Sequence, residues 1–162
     1  MKRSARPKRV EVQLAPLQPE DIEAMLAIEQ QSFTMPWTAA MFASELRNEP
    51  TSHMLVARVG TAAGPIVGYV GYRVVLDEMH VILLAVAPAW RQRGIARQMM
   101  SQAMDEARAA GCTRATLEVR VSNTPAQQLY YSLRFAPVGT RPNTEKAARA
   151  LLYHRDHDFR TS

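Results

Sequence analysis

The sequence predicts an α/β domain built on a mixed sheet, and three observations carry that prediction. Apolar alternation and helical periodicity follow one another in the order β-α-α-β-β-β-α-β-α-β-β. One segment, Met79 to Ala87, is almost wholly apolar and reads as a strand buried on both faces. The chain has 162 residues, 47% apolar and 22% charged, which suits one globular domain able to bury about two-thirds of its unfolded surface.

The elements follow in order. Val10, Val12 and Leu14 alternate with polar residues and predict a short strand. Pro19-Glu20-Asp21 opens a helix with acids in its first turn, and Ile22, Met25, Leu26 and Ile28-Glu29 carry its inner face to about Phe33. Met35-Pro36-Trp37 interrupts. Thr38 is placed to cap a second helix with apolar positions Met41, Phe42 and Leu46. His53–Val59 and Ile66–Leu76 read as strands of a hairpin across the Gly60–Pro65 turn, and Asp77-Glu78 separates them from the apolar run. Pro88 ends that run.

A long helix is expected from Gly94 to Ala110, with Ile95, Met99, Ala103, Ala107 and Ala110 on one stripe and Gly111 past its end. Thr113–Val121 is a further strand. Thr124-Pro125 reads as a cap and first helical position for a short helix through Leu133. Phe135–Gly139 and Ala150–His157 are a final pair of strands, joined by a polar loop from Arg141 to Arg149.

Composition excludes several function classes. A single cysteine, Cys112, rules out an intramolecular disulfide and a multi-cysteine zinc site, and it reads as a buried, inert thiol. No apolar run approaches the roughly 18 residues that span a bilayer. The basic start lacks a following apolar stretch, so it is not a secretory signal, and a reduced cytoplasmic setting is expected. The net charge is +5, yet Lys2, Arg3, Arg6, Lys8 and Arg9 all precede the first acid, Glu11. The remaining basic and acidic residues balance. Residues 1–9 therefore read as a solvated, disordered leader, with contact to nucleic acid or a ribosome as the alternative, and 10–158 as the folded domain.

Three stretches carry chemistry. In Leu84-Ala85-Val86-Ala87-Pro88-Ala89-Trp90-Arg91-Gln92-Arg93-Gly94-Ile95-Ala96-Arg97 a buried strand runs through a turn into a helix. Gly94 and Ala96 leave room for close approach to the backbone, the first helical amides lack intrahelical partners, and the dipole favours an anion. Such a turn could cradle a pyrophosphate or be an ordinary connection. It is neither a Walker motif nor a dinucleotide fingerprint. In Leu117-Glu118-Val119-Arg120-Val121-Ser122-Asn123 the apolar residues share one face, leaving Glu118 on the other. A carboxylate in a central strand must face water or a cleft, so Glu118 is either a general base or a surface partner of Arg114 or Arg120. Tyr130, two helical turns after Asn123, is either a proton donor or a ring packed on the sheet.

Together these stretches resemble the GNAT N-acetyltransferase superfamily. The Arg-x-x-Gly-x-Ala turn after Ala85-Val86-Ala87-Pro88 is similar to its acetyl-CoA motif. Pro36-Trp37 with Phe42, Val75-Leu76-Asp77-Glu78, Leu117-Glu118-Val119-Arg120, Ser122-Asn123, and Leu129-Tyr130 with Ser132-Leu133 and Phe135 resemble the branch that acetylates the N-terminal alanine of a ribosomal protein. The likeness runs from about Ile22 to Phe135.

It implies a single-domain fold with a mostly antiparallel mixed sheet and splayed central strands. It implies that Leu84, Ala85 and Val86 offer backbone groups to the pantetheine and thioester, that Gln92, Arg93, Gly94, Ile95, Ala96 and Arg97 wrap the pyrophosphate, and that Asn123 contacts the coenzyme. Glu118 corresponds to the proton acceptor and Tyr130 to the proton donor. The implied partners are acetyl-CoA and a protein N-terminal peptide, a small-subunit ribosomal protein being one candidate, with no metal, membrane or specific nucleic acid. Trp37 and Phe42 would form an apolar wall of the acceptor site, although Trp37 could equally plug the gap between two helices. Two departures stand out. Arg134 occupies the usual glycine of Leu-Gly-Phe, and Arg141–Arg149 lacks the tyrosine pair of that loop. The expected activity is N-terminal acetyl transfer. The alternatives are a lysine or small-amine acetyltransferase and a non-catalytic coenzyme-binding module.

Overall fold

Alternation in the first segment forms strand β1, Val12–Pro16, two residues later than the pattern suggested. The cause lies in Val10. Its amide donates to the Arg93 carbonyl at 3.0 Å, and its own carbonyl accepts from Gln98 Nε2 at 2.7 Å, so the chain there is tied to the start of a helix and not to a strand. The computed structural model describes residues 8–48, 50–142 and 149–155.

Eleven elements follow the expected order. After β1, a 3-10 turn at Pro19–Asp21 leads into α1, Ile22–Ser32. Asp21 fixes that entry: it accepts from the Gln18 amide at 2.9 Å and pairs with Arg58 at 2.8 Å. Then come α2 (Ala39–Arg47), β2 (Ser52–Val59), β3 (Ile66–Val75), β4 (Glu78–Val86), a 3-10 turn at Pro88–Trp90, α3 (Ile95–Ala109), β5 (Arg114–Arg120), α4 (Thr124–Ser132), β6 (Ala136–Pro142) and β7 (Arg149–Arg155). Thr38 caps α2 as expected, its hydroxyl accepting from the Met41 amide at 3.3 Å. Hydrogen bonding orders the strands β1-β2-β3-β4-β5-β7-β6 in a mixed sheet.

The described residues of Met1–Gly71 and Leu83–Ala103 form one compact unit, and those of Tyr72–Ile82 and Met104–Ser162 a second. In the first, β1 and β2 pair antiparallel from Val12↔Val59 to Pro16↔Leu55. Its core includes Met25, Ile28, Phe42, Val56, Val67, Tyr69, Ile95, Met99 and Met100. Each large side chain removed from water there contributes about 1.5–3 kcal/mol. Gly68 is required by close packing: a Cβ on it would come within 2.8 Å of the Ala85 carbonyl oxygen and 3.0 Å of Met99 Cε.

In the second unit, β4 and β5 pair in parallel from Glu78↔Arg114 to Val81↔Leu117. The described parallel ladder of the two strands ends at Val81↔Leu117, while β4 itself runs to Val86 and β5 to Arg120. β7 pairs antiparallel with both β5 and β6, so the last strand in sequence lies between two earlier ones. Asp77 anchors the start of β5. It accepts from the Thr113 hydroxyl at 2.9 Å, which holds its carboxyl below the usual range, and Arg114 stands 3.6 Å away. Tyr72 donates to Glu106 Oε2 at 2.9 Å, and burial pushes its hydroxyl pKa up.

Four expectations are corrected. β4 is not buried on both faces: Met79, Leu83 and Ala85 are buried, while Val81, Ile82, Leu84 and Val86 are half-exposed. Ala110 lies past α3 and is exposed, because the buried stripe turns through Met100 and Met104 instead. Met41 faces solvent, and α2 buries Phe42 and Glu45. The cap of α4 is Asn123, not Thr124: Asn123 Oδ1 accepts from the Ala126 amide at 3.2 Å. Of the predicted polar loop, Arg141, Pro142 and Arg149 belong to strands, and 143–148 lie outside the described residues, as do 1–7 of the leader.

Candidate active site

The strand-to-helix turn is built by backbone strain in two places. Gln92 holds φ at +62° and Gly94 at +78°. An L-residue rarely adopts such angles, and glycine at 94 relieves one of the two. The chain then enters α3, whose first intrahelical bond runs from the Gln98 amide to the Gly94 carbonyl at 3.2 Å. The amides before it point out of the helix end and can receive an anion. Ile95 is anchored in the core, so that turn of α3 is fixed. Ala96 is half-exposed, and Gln92 and Arg97 are exposed.

Arg9 reaches this turn as well. Its Cγ would lie 3.5 Å from a Cβ on Gly94, and its Nε 4.0 Å. It also pairs with Glu11 at 3.0 Å.

Arg91 and Arg93 of the turn are engaged by protein. Arg91 donates through Nε to the Val86 carbonyl at 3.1 Å and through its terminal nitrogen to Ser32 Oγ at 3.1 Å. It locks the end of β4 to α1. Arg93 places its guanidinium 5.0 Å from the centre of the Trp90 ring. Val86 thus offers its carbonyl to Arg91, Ala85 is buried, and Leu84 and Val86 are half-exposed on the opposite side of the strand.

The second unit holds Glu118, Asn123 and Tyr130. Along β5, Leu117 and Val119 are buried, while Glu118 and Arg120 are exposed, as the alternation requires. Asn123 spends its side-chain oxygen on capping α4, which leaves its amide nitrogen for other partners. Gln127 secures the same corner by donating to the Val121 carbonyl at 2.6 Å. Tyr130 is 6% exposed and packs edge-on to Phe135, ring centres 6.0 Å apart. Burial pushes its phenol pKa up, so it keeps its proton at neutral pH.

Trp37 and Phe42 lie in the first unit and touch, with ring centres 5.2 Å apart. Phe42 is fully buried and meets Tyr69 edge-on at 6.0 Å. Trp37 is half-buried in front of it. Phe42 therefore backs Trp37 instead of facing solvent.

Sequence reasoning missed Glu29 and Tyr69 as candidates for a role at the site. Glu29 is 1% exposed, and its Oε2 accepts from the Trp37 amide at 3.4 Å, long for such a bond. Its Oε1 and the Tyr69 hydroxyl oxygen are sealed from solvent without a hydrogen-bond partner of ordinary geometry. The two groups still couple. Desolvation raises the Glu29 carboxyl against the opposing pull of Tyr69 and the Trp37 amide, and burial and Glu29 together raise the Tyr69 phenol. The signal was present in the sequence, an acid on the inward face of α1 beside Met25 and Ile28.

Among the described residues, no group of three His, Cys, Asp or Glu side chains could hold a metal ion, and no helix is long and apolar enough to cross a membrane. Cys112 is buried, which raises its thiol pKa.

Comparison with known proteins gives the family. Residues 22–135 match the acetyltransferase (GNAT) family. The [ribosomal protein bS18]-alanine N-acetyltransferase of Escherichia coli (strain K12) is 32% identical over 130 residues, 80% of this chain and 84% of that protein. A Bacillus subtilis (strain 168) protein, provisionally given the same name, is 36% identical over 135 residues, 82% of this chain and 87% of its own. The crystal structure of the Escherichia coli ribosomal-protein-S18-alanine N-acetyltransferase superposes with a TM-score of 0.78 at 28% identity, covering 90% of this chain and 94% of that one.

Proposed function

The chain belongs to the GNAT family and is an acetyl-CoA-dependent N-acetyltransferase, and from that premise we propose that it acetylates the N-terminal α-amino group of a protein, an alanine-initiated ribosomal protein of the bS18 kind. The names of the bacterial relatives support this acceptor. The observation that carries the chemistry is the contrast on β5 and α4: an exposed carboxylate at Glu118 and a buried, protonated phenol at Tyr130.

Acetyl-CoA supplies the thioester. The strained turn from Gln92 to Arg97 holds its pyrophosphate through backbone amides, and the left-handed Gly94 fits that role. Leu84 and Val86 present backbone groups to the pantetheine, and a strand amide near Val86 steadies the carbonyl oxygen as charge develops. Asn123 contacts the coenzyme with the amide nitrogen that capping leaves over. Glu118 takes the proton from the incoming ammonium, directly or through water. The amine nitrogen bonds to the carbonyl carbon, the carbon–sulfur bond breaks, Tyr130 protonates the departing sulfur, and the second nitrogen proton passes through water to the Tyr130 phenolate, so the amide leaves neutral and Glu118 returns its proton to solvent.

An α-amino group titrates near 7.7–8.0 and a lysine near 10.4, so an N-terminal acceptor asks less of the base. A phenol above its ordinary value of 10 gives its proton to a thiolate near 8.5 at a cost of at least about 2 kcal/mol, which a turnover step can absorb. The catalytic domain spans 10–158 in this reading, and the reaction is cytoplasmic, where ribosomal proteins are made.

Thiol release from acetyl-CoA is measured with peptides beginning Ala, Ser, Gly or Met, with free lysine and with small amines. Turnover is expected on the peptides. The loop Arg141–Arg149 carries no aromatic anchor, so Ala should be preferred by less than about 100-fold. Turnover on lysine or small amines with none on the peptides would overturn the acceptor assignment.

A further inference from the structure

Four residues of the first unit are linked in series: Glu29 on α1 accepts from the Trp37 amide, the Trp37 ring meets Phe42 on α2, and Phe42 meets Tyr69 on β3. A carboxylate at 1% exposure is an expensive way to hold a helix. An apolar residue would pack α1 without burying Glu29 Oε1, which, like the Tyr69 hydroxyl, has no hydrogen-bond partner of ordinary geometry. The Glu29 carboxylate reaches out of its helix to the Trp37 amide, in the irregular stretch between α1 and α2 in front of Phe42, at the long distance of 3.4 Å. That stretch contains exposed Phe33 and Met35, and the Phe33 amide closes α1 by donating to the Glu29 carbonyl at 3.0 Å.

We propose that Glu29 is the positioning residue of the acceptor site: seated against Tyr69, it fixes the Trp37 backbone and so the angle at which the Trp37 ring faces the incoming peptide. This rests on reading Trp37 as the wall of the acceptor site. Glu29 touches neither substrate in this arrangement. It acts through Trp37 by supplying an acceptor on the buried side of a loop whose other side is solvated. Phe42 backs the indole, and Tyr69 in turn meets Phe42 edge-on.

The test separates position from substrate binding. The chain has two tryptophans, so Trp90→Phe leaves Trp37 as the reporter. In that background, acrylamide quenching of Trp37 is measured for Glu29→Gln and Glu29→Met. The same two substitutions in the otherwise native chain are assayed for KM toward an Ala-initiated peptide and toward acetyl-CoA. Gln retains a carbonyl for the Trp37 amide and can donate to the Tyr69 oxygen, so both readouts should stay within about twofold of the parent. Met keeps the length and removes the acceptor. Quenching should rise about twofold or more and the peptide KM about tenfold, the loss of one hydrogen bond to a charged group, while the acetyl-CoA KM stays within about twofold.

Unchanged quenching in a cooperatively melting Glu29→Met protein overturns the proposal. So does a rise in both Michaelis constants together, which marks a general loosening. Trp37→Ala identifies which premise fails. If it raises the peptide KM and Glu29→Met does not, Glu29 does not position Trp37. If neither raises it, Trp37 is not the acceptor wall. Should Glu29→Met fail to fold, Glu29→Ala provides the same comparison, and its unchanged quenching is equally fatal.

Discussion

Arg134 holds φ at +69° between Leu133 and Phe135, which are both buried. Its amide closes the end of α4 by donating to the Tyr131 carbonyl at 2.9 Å, so the angle is imposed by the cap and not chosen by the side chain. A left-handed L-residue costs about 1–2 kcal/mol, and glycine would return part of that gain through a freer unfolded chain. Arg134→Gly should therefore stabilise the protein by roughly 0.5–1 kcal/mol, read as a melting temperature about 1–4 °C higher; an unchanged or lower melting temperature would count against strain at this position. Glu29 makes a second residue-scale prediction. Its carboxyl is raised above its ordinary value of 4.5 by desolvation, so the folded state holds the proton more tightly than the unfolded state. Its contribution is fully present below the unfolded pKa and is lost as pH rises through the folded one. Glu29→Gln should consequently stabilise the protein most at pH 7–8, with the advantage shrinking toward pH 4.5. Thermal melts across that range check the trend, and an advantage that grows toward acid would contradict it. At this scale the sequence was only partly legible. The exposed side of β5 could be read from pattern, and Arg134 stood out only against the family resemblance, which has a glycine there. The burial of Tyr130 and Phe42 could not, because periodicity assigns a face and not the depth at which that face is covered.

At the scale of elements, all seven strands and four helices appear in the expected order. The boundaries that moved did so because a tertiary bond outweighed local pattern. Val10 left β1 for Arg93 and Gln98, and Asn123 took the cap of α4 from Thr124. Pairing was less legible than order. Nothing in the residues of β7 requires it to lie between β5 and β6, since partner choice depends on contacts far apart in sequence. The turn into α3 is the element on which the coenzyme reading depends. Gly94→Val puts a branched side chain at φ +78° and 3.5 Å from the Arg9 stem. It should raise the acetyl-CoA KM by about tenfold or more while the peptide KM and a cooperative melt are retained. Unimpaired coenzyme binding in a folded Gly94→Val protein would show that the pyrophosphate lies elsewhere. β5 and α4 make the complementary prediction. Glu118→Gln and Tyr130→Phe should each lower kcat by about 100-fold or more without comparable change in either KM. A fall in KM-linked binding alone would remove both from proton transfer.

The charge of the whole chain is uneven, and its geometry gives that unevenness a direction. Residues 1–9 carry five basic side chains and no acid, and the rest of the chain balances its charges. Arg9, the last of the five, lies along Gly94, and Val10 is bonded to Arg93, so the basic segment joins the fold beside the start of α3. That is the turn read above as the pyrophosphate cradle. Acetyl-CoA carries its negative charge on phosphates, and fixed cations raise the local concentration of an anion within about one Debye length, roughly 8 Å at physiological salt. Sequence alone left the basic segment as a solvated leader or a contact for nucleic acid, because charge composition does not say where a segment attaches. Its attachment point favours a different role. Replacing Lys2, Arg3, Arg6 and Lys8 together by Gln should raise the acetyl-CoA KM a few-fold at low ionic strength, with kcat and the melting temperature unchanged. The difference should vanish near 0.5 M salt, where screening shortens the reach of those charges to about 4 Å. An acetyl-CoA KM that does not respond to the substitution, or responds equally at every salt concentration, would mean that the segment's charge does not act on the coenzyme.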